Sequence, residues 1–243
     1  MNLYKWEMKQ MFKTKVFWFI GAAFFLLMCG FHGRELVKGG ITAYEMFLTM
    51  CNDFTSLAMF FIGIFAGLHV TGALEERKLQ AAIMAGNSRA KVLWTKFASF
   101  MSAIAIFFGA SVVIPATIGF ARFGLACEDG SFLRNVIFRA PVYLVAIISA
   151  SAICFILSMI CKKPGIAVIV NLVTLLTIDL TVSFIATKEW GEKILEYTPF
   201  GQKMIVLSDM SNKNTAIALS VSVAFAFLVL LGSYARFRKE ELK

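Results

Sequence analysis

Charge is what this sequence has least of. Of its 243 residues only 16% are Asp, Glu, Lys or Arg, 59% are hydrophobic, and the mean hydropathy is +0.76. A soluble domain carries about 25% charged and roughly 45–50% apolar residues. A water-facing globule is therefore excluded. Histidine is also scarce, with 2 in the chain. The cysteines, Cys29, Cys51, Cys127, Cys154 and Cys161, form no C-x-x-C pair, so the usual zinc and thiol-redox spacings are missing. A disulfide between Cys51 and Cys127 stays open, small packed side chains being the favoured reading. No G-x-x-x-x-G-K-S/T occurs, which removes a Walker-type phosphate loop.

The chain has instead six runs almost free of charge: Val16–Phe31, Phe54–Leu74, Phe97–Ala121, Ala140–Cys161, Gly165–Thr187 and Thr215–Ala235. A helix rises about 1.5 Å per residue, so about 20 residues cross a hydrocarbon core of roughly 30 Å. Five runs reach that length. The first, at 16 residues, falls short, but it ends Met28-Cys29-Gly30-Phe31-His32 without the cleavage site of a signal peptide and is read as a retained span. The runs are continuous rather than alternating, which selects helices over a barrel. The expectation is an all-α polytopic membrane protein, one domain over 1–243 with six transmembrane helices.

The segments outside the runs are at most 27 residues long, too short for a nucleotide-hydrolysing domain. If ATP drives this protein, another chain binds it. The termini and the two connections on their side hold 15 Lys and Arg in 48 residues, the opposite face 9 in 67. The positive-inside rule places both termini in the cytoplasm. The net charge of +9 then reflects topology and anionic lipid, and calls for no nucleic acid.

Residues 1–15 read as a two-faced interfacial helix, with Tyr4, Met8, Met11 and Phe12 on one side and Lys5, Lys9 and Lys13 on the adjoining one. A plain basic membrane flank is the alternative. Between the second and third runs, residues 75–91 read as a rigid elbow. Glu75 and Glu76 open a short helix at the positive end of its dipole, Gly86-Asn87 stops it, and Ser88 caps the next helix. Asp179 is the only acid within a run. It lines a path or pairs with a neighbouring helix, and Asn171 is its nearest polar companion on the same helix. His69 reads as a packed histidine rather than a metal ligand, and Pro115 as a kink in the third span. Residues 188–214 read as an amphipathic segment dipping into the headgroups and stopped at Pro199, a gate or a membrane-resting loop.

The Glu75-Glu76-Arg77 cluster, the Gly86-Asn87-Ser88-Arg89 turn, Lys96-Phe97, Tyr197-Thr198-Pro199-Phe200-Gly201 and the basic tail Arg236-Phe237-Arg238-Lys239-Glu240 together resemble the permeases of ABC type-2 exporters. The likeness departs at Leu79-Gln80, where many relatives have Gly-Thr. It implies an ATP-binding partner carrying ATP and Mg, docked on Glu75, Glu76, Arg77, Leu79, Ile83, Gly86, Ser88 and Arg89. It also implies a second permease subunit, identical or paralogous. In such proteins the interfacial helix, here with Tyr4, Trp6, Met8 and Phe12, frames a gate toward lipid. Asn171 and Asp179 become candidate pathway residues. No cofactor is expected on this chain, and no catalytic role is assigned. Relatives of this size include bacteriocin-immunity and toxin-peptide exporters of bacterial plasma membranes, so hydrophobic or amphipathic peptide cargo is expected. The competing classes are an intramembrane enzyme, such as a prenyl-protein-type protease, and a non-transporting scaffold. The protease pattern Glu-Glu-x-x-x-Arg meets Gln80 here, and the histidines it needs are lacking.

Overall fold

The structure, a computed structural model, describes residues 3–38, 43–123, 131–188, 190–208 and 212–239. All elements among them are helical. α1 (Leu3–Lys13) is followed by α2 (Lys15–Lys38) and α3 (Ala43–Ala66), which passes through a π turn (Gly67–Thr71) into α4 (Gly72–Glu75). α5 (Lys78–Met84) leads to α6 (Arg89–Phe108), a second π turn (Gly109–Val113) and α7 (Ile114–Phe123). Then come α8 (Ser131–Ile160), α9 (Pro164–Ala186), α10 (Gly191–Leu195), α11 (Pro199–Ser208) and α12 (Asn212–Lys239).

Six stretches of these helices are long and apolar enough to cross a membrane: Lys15–Gly33, Leu57–Glu75, Arg89–Ile118, Phe138–Ile160, Pro164–Ala186 and Lys213–Arg238. The chain is thus an all-α multi-pass membrane protein. The first span is longer than its charge-free run, because Lys15 begins the helix and Gly33 extends it. Six crossings return α12 to the end where α1 starts, here called the elbow end.

The second, third and fourth spans are 56%, 50% and 61% buried, whereas the first, fifth and sixth are 28%, 17% and 17% buried. The former make the centre and the latter the rim. Phenylalanine rings weld the centre: Phe17 stacks on Phe107 at 5.2 Å, Phe54 meets Phe108 edge-on at 5.2 Å, and Phe97 meets Phe155 at 5.1 Å. Such pairs add to plain area burial through their quadrupoles. At the end away from the elbow, His32 Nε2 lies 3.0 Å from Asp53 Oδ2 and joins α2 to α3. Cys51 is fully buried, while Cys127 lies outside the described residues.

The third span changes its winding just before its proline. Pro115 has no N–H to give and its ring would strike the carbonyl four residues back, so the helix widens into the π turn just before it. The π turn in the second span has a different cause, close packing against α9. Gly63 and Gly67 form a G-x-x-x-G stripe facing that helix. A Cβ on Gly67 would sit 2.7 Å from Val168 Cγ2 and 2.8 Å from Val168 N. Asn171 Nδ2 bridges the same contact, donating to the Gly63 carbonyl and bonding Ser158 Oγ, both at 2.9 Å, while Thr71 Oγ1 donates to the Ser158 carbonyl at 2.6 Å. Small residues that let backbones meet, with polar groups tying them, are how helices associate where lipid is the solvent.

Within 188–214 the described residues include two helices, α10 and α11. Pro199 does not simply stop a helix: it opens α11, with Thr198 Oγ1 accepting from Gly201 N–H at 3.1 Å. Proline suits a first helical position, where its N–H would be an orphan. α11 packs against α8 and α12 and buries Gln202 and Lys203. Trp190, Ile194 and Tyr197 are all exposed.

Gly67→Ala is expected to lower stability by about 1–3 kcal/mol, the range for overpacking a filled site. Gly72→Ala should change little, because nothing lies within 4 Å of a Cβ there. Thermal unfolding of the purified protein in detergent distinguishes the two; equal midpoints would reject the α9 contact.

Candidate functional site

The elbow is built from short local signals. α4 ends at Glu75, and Glu76 closes it by donating its N–H to the Gly72 carbonyl at 3.0 Å. Arg77 then adopts φ 55, the one left-handed non-glycine among the described residues, which turns the chain into α5 within a single residue. The acids therefore finish the second span rather than open α5, whose first turn holds no acid. They lie outside α5 because the chain reversal falls at Arg77, after them.

Gly86, at φ +88, ends α5 where a left-handed residue is needed and a side chain would be strained. Asn87 Nδ2 donates to the Ala82 carbonyl at 3.0 Å, satisfying an orphan acceptor of α5. Ser88 caps α6, its Oγ accepting from Lys91 N–H at 3.3 Å. Lys78 pairs with Glu76, but both are largely exposed, so the pair contributes little.

Three contacts weld this corner to the spans. Leu79 is 1% exposed and roots α5 in the core, with Ile83 half-buried beside it. Arg89 donates to the Arg238 carbonyl at 2.9 Å and reaches the Phe237 carbonyl at 3.5 Å, capping the end of α12. A cation at a helix C-terminus also meets the negative end of its dipole. The third contact is an ion pair inside the protein: Lys96 Nζ to Glu7 Oε2 at 3.2 Å, with side chains only 4% and 5% exposed. Below it, His69 Nε2 lies 3.3 Å from Ser99 Oγ, with its ring stacked on Phe65.

That ion pair changes the reading of α1. The side turned into the protein is Leu3, Glu7 and Met11, a line of every fourth residue centred on a glutamate. Tyr4 and Phe12 are 37% and 39% exposed on the next flank, Met8 and Trp6 are half-buried, and Lys5, Lys9 and Lys13 are exposed beyond. Of the apolar side expected from the sequence, Met11 is buried in the packed face while Tyr4 and Phe12 form an outer shoulder, and Glu7 is the one charge within the packed face. Tyr4 also bonds Ser102 Oγ at 2.7 Å.

Between α1 and α5 a groove of about 500 Å³ is lined by Leu3, Trp6, Ala81, Ala82, Ala85 and Asn87. Its floor is alanine and one wall is a tryptophan. Beside it Met84 is 87% exposed, and Glu75, Glu76, Arg77, Gly86 and Ser88 are exposed too. Of the residues expected to meet a partner, Leu79 and Arg89 are therefore engaged inside the chain, Ile83 is half-buried against the core, and Glu75, Glu76, Arg77, Gly86 and Ser88 present a surface. Met84 lies in the short helix that the resemblance implicates, Leu79–Ala85, but is not singled out there, because one methionine among 12 carries no pattern.

The two pathway candidates are not brought together. Asn171 is fully enclosed in the contact of α9 with α3 and α8. Asp179 is exposed on α9 and borders a cavity of about 20 Å³, room for one water, with Met59, Leu175, Phe200 and Lys203 around it. Burial pushes the Lys203 ammonium below its ordinary pKa, and the Asp179 carboxylate partly restores it. Among the described residues no three His, Cys, Asp or Glu side chains converge as a metal site. No known family model matches this chain, and no curated protein matches it.

Removing one member of the buried pair strands the other. Glu7→Ala and Lys96→Ala should each cost about 3–5 kcal/mol, and the double variant Glu7→Met/Lys96→Met should recover most of that loss. Unfolding free energies measured in one detergent test this, and losses that simply add would contradict the pair.

Proposed function

We propose that this chain is the membrane-spanning subunit of an ATP-driven exporter for hydrophobic or amphipathic cargo, peptide being favoured. Its elbow end faces the cytoplasm, by the distribution of Lys and Arg. ATP and Mg sit on a separate ATP-binding subunit that grips the elbow, and a second permease subunit completes the path. The membrane is then the plasma membrane of a bacterium.

The observation carrying this reading is the elbow surface: a largely exposed Met84 beside an apolar groove, on a corner fastened to three spans. Contiguous apolar surface, here the groove with Met84 at its edge, marks a contact site where a lone exposed side chain does not. A corner tied through Glu7, Lys96 and Arg89 passes a push into the first, third and sixth spans. ATP moves such a bundle only if it binds two permease conformations with different free energies. Cargo preference follows from the spans, where isolated charge is confined to few positions.

The test separates docking from folding. Met84→Asp, or Glu75→Lys with Glu76→Lys, should leave the protein in the membrane at normal levels but abolish co-purification of an ATPase subunit and cargo efflux. Leu79→Asp should instead remove the protein itself. Unchanged association and efflux in the first two variants would reject the docking role. Separately, Lys162→Cys and Lys188→Cys, both at exposed positions, should label from opposite sides of the membrane, the first from the cytoplasm. Labelling from one side would overturn the topology.

A further inference from the structure

The fifth span, α9, sits on the rim, yet it carries the one acid found within the six charge-free runs. Asp179 lies roughly 10 Å before the helix end at Ala186. A carboxylate within a span faces protein or water, not lipid tails. The hydroxyls beside it on its own helix are already spent: Thr177 and Thr181 donate to carbonyls a turn earlier, at 2.8 and 2.7 Å.

Lys203 poses the converse problem. It belongs to α11, outside the spans, and is only 6% exposed. Among the described residues no hydrogen bond or ion pair reaches its ammonium. An ammonium has three donors, and burying them unpaired is costly. The charge that acts on it across the gap is Asp179. Both side chains border the same cavity of about 20 Å³, whose walls include Met59, Leu175, Val182 and Phe200. That is room for one water, which would find an acceptor on one side and a donor on the other. A bridge of this kind is nearly as favourable as a direct hydrogen bond. The site also joins parts of the fold that are otherwise held separately. α11 packs against α3, α8 and α12, whereas α9 is tied by Asn171 to the Gly63 carbonyl, about 12 Å nearer the elbow end.

We propose that Asp179 and Lys203, bridged by one ordered water, latch the far half of the fifth span to α11. The latch is releasable, because Asp179 is at the surface of the chain and its side chain can turn away while Lys203 stays buried. Release frees the far half of α9 to swing from the bundle, with the Asn171 contact as its pivot. The latch goes beyond the exporter reading and rests on α9 and α11 alone, so a chain that binds no ATPase can still carry it.

Full-length protein carrying Val182→Cys, a buried position on the cavity wall, is held in lipid nanodiscs and treated with a charged, water-soluble thiol reagent. Labelling is read at each cysteine by mass spectrometry, and Cys154, fully buried in the fourth span, reports general unfolding. Adding Asp179→Asn or Lys203→Met should speed labelling at position 182 several-fold and leave Cys154 protected. The variant with both changes should label no faster than the more affected single one, because the second change finds no pair left to break. Three results would overturn the latch: no acceleration in either single variant, single effects that multiply when combined, or labelling of Cys154 that rises in step with position 182.

Discussion

Two side chains that water barely touches, Glu7 and Lys96, decide how the elbow end is organised. Charges this deep are costly to bury, and their mutual attraction offsets the cost only while both are present. The glutamate can sit there only if α1 lies along α6, and the lysine can enter a span only if that glutamate meets it. The short N-terminal helix α1 is thereby fastened to the third span. From that anchor the rest follows: α6 holds the elbow through its Ser88 cap and the end of α12 through Arg89.

What can move relative to this corner is suggested by the two π turns. Each interrupts a central span, one beside Pro115 and one beside the Gly67 contact with α9. Wide turns of this kind occur mostly within longer helices and often at functional positions. In the proposed exporter they are where a push at the elbow becomes a bend in the bundle, with α9 riding on the G-x-x-x-G stripe. Aromatic contacts among Phe17, Phe65 and Phe107, and between Phe97 and Phe155, hold the central spans to their neighbours.

The span count, the elbow's stop at Gly86 and its cap at Ser88 were legible in the sequence, because each rests on local physics: run length, a left-handed residue, a hydroxyl before a helix. Features that need two distant segments were not. Glu7 reads as one more charge in a basic flank until Lys96, 89 residues later, is seen opposite it. The line Leu3, Glu7, Met11 was visible, but a glutamate argues against a buried face unless its partner is known. Asn171 looked like a companion of Asp179 by spacing along one helix, yet side chains eight residues apart share neither depth nor neighbours. The Gly63–Gly67 stripe was the readable signal for where α9 packs. For α11, Pro199 was taken as an end because proline ends helices as readily as it starts them; Thr198 just before it, a good cap, was the deciding residue.

The account turns on whether a separate engine seats on the elbow. A photo-crosslinking residue in place of Met84, incorporated in the native host, gives the most direct answer. The account predicts an adduct with a protein whose own sequence contains a phosphate-binding G-x-x-x-x-G-K-S/T loop, lost when that protein's gene is deleted. Efficient incorporation with adducts only to lipid, or with none at all, would contradict it.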